Sequence, residues 1–261
     1  MRYIIGDIHG CSSELQALID LILKSDLEAD FYSVGDVVNK GPDSLSCLEI
    51  LEKHQVTVIR GNHEDWLVRI WETFLAELEE FDISRQSCMS SQCGGLIAMF
   101  KIESLLFESS VMNDFNAQTS LYSKDLDYLR SFRGQLHYWI PKIKNWPYWV
   151  DLDEALIVHA GLIPGVDSLE QMPTRALTTI RTWDGDGQFV NRPDTDPAWF
   201  ELVKWPKIVV FGHWAMNGLV DLPKFKGIDT GCVYGKHLTA WCVESGAFLQ
   251  VPAQKVYYSV G

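Results

Sequence analysis

No CxxC pair occurs in the sequence, and its six cysteines, Cys11, Cys47, Cys88, Cys93, Cys232 and Cys242, form no compact secreted framework. A disulfide scaffold is set aside, and reduced thiols in a cytosol are expected. Long apolar runs are also missing. From Met1-Arg2-Tyr3-Ile4-Ile5 the chain passes straight into Gly6-Asp7, which leaves no room for the apolar core of a signal peptide, and no stretch is long enough to span a bilayer. A cytoplasmic location without membrane partners follows as the expectation. Positive charge is scarce: the formal net charge is −13, so the average surface repels nucleic-acid backbones and anionic lipid heads. Any anionic substrate therefore needs a local positive site, which bound dications supply readily. Internal repeats, low-complexity tracts and a Pro/Ser-rich linker are absent too, so no domain boundary suggests itself.

What remains is material for a folded globule. Hydrophobic residues make up 47% of the chain against 22% charged, enough apolar side chain for a sizeable core. A length of 261 residues fits one large α/β domain over 1–261. Tyr3 to Ile5, Phe31 to Val34 and Val56 to Ile59 are short apolar runs, each ending in glycine and a polar residue, as buried strands do. Between them Leu15, Leu18, Ile19 and Ile22, and then Leu45, Leu48 and Leu51 after Pro42-Asp43, recur at helical spacing. This βαβαβ pattern, closed by right-handed crossovers, puts Asp7, Asp36 and Asn62 at the carboxyl ends of neighbouring parallel strands, where open α/β sheets bind ligands.

From Trp66 to about Lys144 the pattern changes to longer aromatic-rich helical stretches, with a loop around Ser87 to Gly95. This reads as a helical insertion over about 66–146 that covers the site. Beyond it Tyr148 to Leu152, Ala155 to Val158 and Ile208 to Phe211 read as strands, and the tail from Gly227 as a β-rich meander. The second half is predicted to be more antiparallel. Asp184 to Pro197, rich in Gly, Asp and Pro, is predicted to form a long mobile loop.

Five blocks set a potential ligand beside glycine at a strand end: Gly6-Asp7-Ile8-His9-Gly10, Gly35-Asp36, Gly61-Asn62-His63-Glu64, His159-Ala160-Gly161 and Gly212-His213. Singly, an Asp after a strand is often a helix cap, and an Asn often sits in a left-handed turn. Five such blocks at consecutive predicted strand ends favour a site. Carboxylates, imidazoles and one amide suit manganese, iron or zinc and do not make a thiolate site.

GDIHG at Gly6 to Gly10, GDVVNKGPDS at Gly35 to Ser44, RGNHE at Arg60 to Glu64, HAG at His159 to Gly161, GH at Gly212-His213 and GIDTGCVYGKHLTA at Gly227 to Ala240 resemble the calcineurin-like metallophosphoesterases. Within them the chain resembles the branch holding protein serine/threonine phosphatases and bacterial symmetrical diadenosine tetraphosphate hydrolases, and is most similar to the ApaH-like phosphatases. The resemblance implies a four-layer α/β/β/α sandwich and two divalent ions, manganese first, with iron, zinc, cobalt or magnesium as alternatives. It implies that Asp7 and His9 hold one ion, that Asp36 bridges, and that Asn62, His159 and His213 complete the second. A bridging carboxylate lets two dications sit about 3.5–4 Å apart despite their repulsion.

By the same resemblance His63 is the general acid, although a histidine at a helix start has an ordinary surface reading as well. Arg60 and Arg181 are the expected phosphate clamps, since a guanidinium grips phosphate with two parallel hydrogen bonds; Arg175 lies close enough in sequence to compete for the second place. Asp229 either supports an imidazole or makes a turn.

The chain departs from the family's DRG, where it has Asn39-Lys40-Gly41. Asn39 orients His63 without adding a full charge, which predicts that His63 loses its proton at lower pH than beside an aspartate. Lys40 offers a flexible point charge in place of a planar fork, which suits a chain of phosphates. The leading expectation is hydrolysis of phosphoanhydrides in nucleoside polyphosphates, with a diadenosine tetraphosphate or a capped RNA 5′ end as substrate. A phosphoprotein phosphatase is the second reading. A binding module that keeps the metal site as scaffold is a third, against which the complete ligand set argues. Oligomeric state is not legible.

Overall fold

The computed structural model describes residues 1–69, 71–72, 135–188 and 190–259. The insertion expected over about 66–146, its loop at Ser87 to Gly95, and Cys88 and Cys93 lie largely or wholly outside those residues. Its two flanks, 62–72 and 135–144, are helical where described.

Two five-stranded sheets form the frame. The first runs in the order β10 (Phe248–Pro252), β9 (His237–Cys242), β1 (Arg2–Ile5), β2 (Asp30–Ser33), β3 (Thr57–Val58), and the second in the order β4 (Trp149–Asp151), β5 (Ala155–Val158), β6 (Ile208–Phe211), β8 (Phe225–Gly227), β7 (Val220–Asp221). In the first, β1, β2 and β3 are parallel, with Ile5 opposite Ser33 and Ser33 opposite Val58. The antiparallel pair β9 and β10 extends the sheet on the other side of β1. The expected βαβαβ unit is thus present, with strand ends shifted by a residue or so.

The helices form for the reasons their spacing gives. In α1 (Ser12–Leu23) the side chains of Leu15, Leu18, Ile19 and Ile22 are buried on one face, each contributing about 1.5–3 kcal/mol by leaving water. α2 (Ser44–Lys53) starts at Asp43, whose carboxylate accepts from the Ser46 amide at 2.9 Å, and carries Lys53 in its last turn, where the helix dipole favours a cation.

The second half of the chain is more antiparallel than the first, as expected: β9 pairs antiparallel with both β1 and β10, and the second sheet has antiparallel edges, although its centre is parallel. In that sheet β5, β6 and β8 run parallel; only the edges β4 and β7 are antiparallel. The reason lies in burial: β5 is buried at every residue, as central parallel strands with both faces covered are. The connection from β5 to β6, through the helices Thr174–Thr179 and Trp199–Leu202, is long enough for a crossover.

Side-chain alternation assigns the layers. Tyr3 and Ile5 join α1 and α2 in one core, while Ile4 turns to the other side. There it meets Val34, Ile59, Ala155, Ile157, Val210, Ile228 and Trp241, so the two sheets face each other through one apolar layer. Leu156, Val158, Val209 and Phe211 point outward to a third cluster around Trp199. The result is the four-layer α/β/β/α sandwich. Among the described residues no helix is long and apolar enough to cross a membrane.

Candidate metal centre

Six parallel strands end at one rim of this sandwich, and each is followed within four residues by a polar side chain. Asp7 follows β1, Asp36 β2, Asn62 the short β3 run, His159 β5, His213 β6 and Asp229 β8. The chain bends sharply there. Of the six non-glycine residues with positive φ among those described, five are His9, Asp36, Asn39, Lys40 and His213. Such backbone costs about 1–3 kcal/mol per residue and gathers where function requires a fixed geometry.

The packing is close enough to demand glycine at two points. A Cβ on Gly61 would lie 2.2 Å from an Asp36 carboxylate oxygen, and one on Gly212 1.9 Å from an Asp7 oxygen. Any side chain there would displace the carboxylates.

Asp36 is the centre. It is 2% exposed, and its two oxygens face different rings: Oδ1 lies 3.4 Å from His159 Nε2, while Oδ2 lies 3.6 Å from His9 Nε2 and 3.8 Å from His63 Nε2. Donor atoms of His9, Asp36 and His63 gather within 4.8 Å of one another, and so do those of Asp36, His159 and His213. One carboxylate therefore belongs to two adjoining donor groups. Burial alone would raise its pKa, but the imidazoles of His159, His63 and His9 hold it well below the usual carboxylate range. Burial likewise disfavours a charged His159, yet Asp36 and Asp7 bring it up to about 10.

Two rings have their outer nitrogens tied to carbonyls. His9 Nδ1 is 3.2 Å from the Val38 oxygen and His159 Nδ1 is 2.8 Å from the Val34 oxygen. Each Nδ1–H donates outward, so Nε2 is the ring nitrogen that faces the site, the usual arrangement of a ligating histidine. Asn62 Oδ1 lies 3.1 Å from His159 Nε2. Asp7 accepts the His213 backbone N–H at 3.1 and 3.2 Å, and burial followed by repulsion from Asp229 raises its pKa well above normal. Asp229, pushed up to about 6 chiefly by burial, accepts the Gly231 amide at 3.1 Å. Its hydrogen bond supports the turn and goes to no imidazole. Three buried carboxylates crowded around imidazole lone pairs make a donor set that divalent ions would relieve, so the residues present fit two metal ions.

Asn39 Nδ2 lies 2.8 Å from His63 Nδ1. Burial pushes the His63 ring down to about 4. Lys40 Nζ stands 3.1 Å from His9 Nε2. Arg181 donates to the His213 carbonyl at 3.3 Å, and its buried Nε has no acceptor among the described residues. Lys40 and Arg181 both line the cleft, about 680 Å³ in volume, that opens over Asp36.

Arg60 does not reach this cleft. Its guanidinium pairs with Asp65, donates to the Lys144 carbonyl at 3.2 Å and lies over the Tyr148 ring at 5.0 Å. The aromatic face and carboxylate engage the charge on the outer side of the rim, so the expected clamp is turned away.

Several residues escaped the sequence reading. Glu64, fully buried, accepts four amides: Asp36 and Gly61 on Oε2, both at 2.9 Å, and Val37 and Val38 on Oε1 at 2.8 and 3.1 Å. It ties the loop after β2 to the loop after β3. Burial and the neighbouring Asp36 push its pKa up to about 7 against those donors. Its only signal in the sequence was its place in the RGNHE block. Tyr234, Lys236, Asn191, Trp214 and Met216 also line the cleft, drawn from loops whose sequence has no periodicity. Residues 184–188 and 190–197 are irregular, and through Asn191 and Pro193 they form part of the wall.

Residues 3–242 match the model of the family described as calcineurin-like phosphoesterase. Two similar relatives are named bis(5'-nucleosyl)-tetraphosphatase, symmetrical. The one from Legionella pneumophila is 29% identical over 97% of this chain and 98% of its own length. That from Methylobacillus flagellatus is 26% identical over 96% of this chain and 94% of its own. A crystal structure described as that of a candidate diadenosine tetraphosphatase superposes with a TM-score of 0.69, at 22% identity over 97% of this chain and 93% of that one, and so shares the fold.

Proposed function

The chain belongs to the calcineurin-like phosphoesterase family, hydrolases that use divalent metals, and from that premise we propose that it cleaves phosphoanhydride bonds of nucleoside polyphosphates at a two-metal centre. The observation that carries the reading is the single buried carboxylate of Asp36 shared by two donor groups, beneath a cleft whose lining includes Lys40 and Arg181. Relatives of full length named as symmetrical tetraphosphatases support this substrate class. Asp7, His9 and Asp36 would hold one ion, and Asp36, Asn62, His159 and His213 the other, with manganese the preferred metal. When bound, the ions supply an activated water and offset charge on the phosphoryl oxygens.

The chain's own side chains do the rest. Arg181 and Lys40 grip phosphate oxygens and align the polyphosphate across the rim. His63, held by Asn39, directs Nε2 toward the leaving oxygen. Trp214 and Tyr234 offer aromatic faces on which a base can stack. A diadenosine tetraphosphate and a capped RNA 5′ end both fit this description.

The test is a substrate panel with added manganese: dinucleoside polyphosphates, capped RNA, inorganic polyphosphate and phosphopeptides, scored by kcat/KM before and after exhaustive chelation. The expected result is preference for a nucleoside polyphosphate and loss of turnover on chelation. A preference for phosphopeptides, or turnover that survives metal removal, would overturn the reading.

A further inference from the structure

Asn39 has both of its side-chain atoms engaged. The Lys40 backbone N–H lies 2.7 Å from Asn39 Oδ1, and because a backbone amide can only donate, the oxygen must be the atom that faces it. The amide nitrogen is thereby turned toward His63, 2.8 Å from Nδ1. An amide NH₂ also only donates, so His63 Nδ1 must accept, and the one proton of the ring sits on Nε2, the nitrogen facing Asp36 Oδ2 at 3.8 Å. Asn39 lies in the left-handed region at φ 76 and Lys40 at φ 70, a turn in which the Oδ1 to N–H bond fixes the side chain of an asparagine. The tautomer of His63 is therefore dictated by the backbone.

From this we infer that Asn39 is a specificity-determining positioning residue: by making His63 a fixed Nε2–H hydrogen-bond donor, it suits the site to leaving groups that depart as anions. In the reaction a water oxygen bonds to phosphorus and the bond from phosphorus to the bridging oxygen breaks, its electron pair staying on the leaving oxygen. When the leaving group is a phosphate, that oxygen is stable without a proton near neutral pH, since its conjugate acid has a pKa of about 6. A hydrogen bond from Nε2–H suffices. When the leaving group is an aliphatic alkoxide, whose acid approaches that of water at about 15.7, a proton must be transferred. A ring with Nδ1 held as acceptor would become an imidazolate by giving it. An aspartate at 39 could accept both the Lys40 amide and an Nδ1–H, and so would let the ring carry protons on both nitrogens and deliver one. The inference rests on the phosphoanhydride reading above and names what at the site enforces it.

The experiment has two arms on the full chain. The first is ¹⁵N-histidine NMR of metal-free wild type, with His63 identified by the signals lost in His63→Gln. Wild type is expected to show an unprotonated Nδ1 and a protonated Nε2, and Asn39→Asp a protonated Nδ1. A protonated Nδ1 in wild type would overturn the inference whatever the kinetics.

The second arm measures kcat/KM with manganese for a dinucleoside tetraphosphate and for a ladder of p-nitrophenyl, phenyl and alkyl phosphates. Wild type should fall steeply along the ladder. Relative to its own rate on the anhydride, Asn39→Asp should recover about 10- to 100-fold at the poor-leaving-group end of the ladder. Parallel ladders in the two proteins, with the wild type turning over the anhydride, sink the role of Asn39 alone; absent anhydride turnover by the wild type beside brisk ester turnover sinks that role and the proposed function together.

Discussion

The two sheets furnish the rim by different means. The first brings Asp7, His9, Asp36, Asn62 and His63 from short loops between strand and helix, and it holds them itself: Glu64 fastens the Asp36 loop to Gly61, and Val38 orients His9. The second brings His159 and His213, and each is also held from the opposite sheet. His159 donates to the Val34 carbonyl and the His213 amide to Asp7, both across the sandwich. The first sheet is thus largely a self-supporting half-site, and the imidazoles of the second take part of their positioning from contacts that form when the apolar layer between the sheets is assembled. Stability of the interface and competence of the site are one property here.

The sharpest break would come at the residue both halves share. Asp36→Asn removes the charge that both donor groups face, and kcat/KM is expected to fall on the order of 10³-fold, with loss of one or both metals by elemental analysis. Retention of two ions and most activity would dissolve the idea of a shared bridge. Next comes the fastening of the first half. Glu64→Gln offers one acceptor oxygen where four amides need two, and manganese affinity by calorimetry should weaken about 10- to 100-fold. An unchanged affinity would show that the loops after β2 and β3 hold each other without it.

pH separates the halves more gently. Burial holds folded His63 at about 4, below the usual imidazole value of about 6.5. Its share of stability is therefore complete above about 6.5 and is lost as pH falls toward 4. His159, held at about 10, behaves oppositely: its share is complete below about 6.5 and is lost as pH climbs through 10. In metal-free thermal melts the Tm gap between wild type and His63→Gln should narrow on acidification, and that for His159→Gln on alkalinisation. Gaps that move together would contradict the contrast. The smallest effect is expected outside the rim: Arg60→Ala should change kcat/KM less than about threefold, against a loss of about tenfold or more for Arg181→Ala, whose charge sits in the cleft. A large Arg60 effect would mean that this side chain swings inward with substrate.

The first half was legible because its physics is local. Leu15, Leu18, Ile19 and Ile22 recur at helical spacing, Asp43 caps its helix, and a crossover of fixed hand then leaves little choice about where Asp7 and Asp36 go. In the second half the strand runs were visible, but β5 and β8 both flank β6 in a parallel arrangement set by long irregular connections, which carry no periodic signal. Arg60 misled for a related reason. Its place beside Asn62 in sequence says nothing about which way the side chain turns, and Asp65 with Tyr148, 88 residues along the chain by their numbering, holds it outward.

Residue chemistry and spacing by themselves determined that carboxylates, imidazoles and an amide would end consecutive strands, since strand length, glycine placement and helical period are properties of neighbouring residues. Only the tertiary structure decided that Asp36 serves two groups, that Glu64 gathers four amides, that Arg181 faces the cleft while Arg60 does not, and that the Asn39 amide nitrogen meets His63 Nδ1. Those outcomes depend on hydrogen-bond directions between segments far apart in the chain, and such directions exist only after the two sheets have closed on each other.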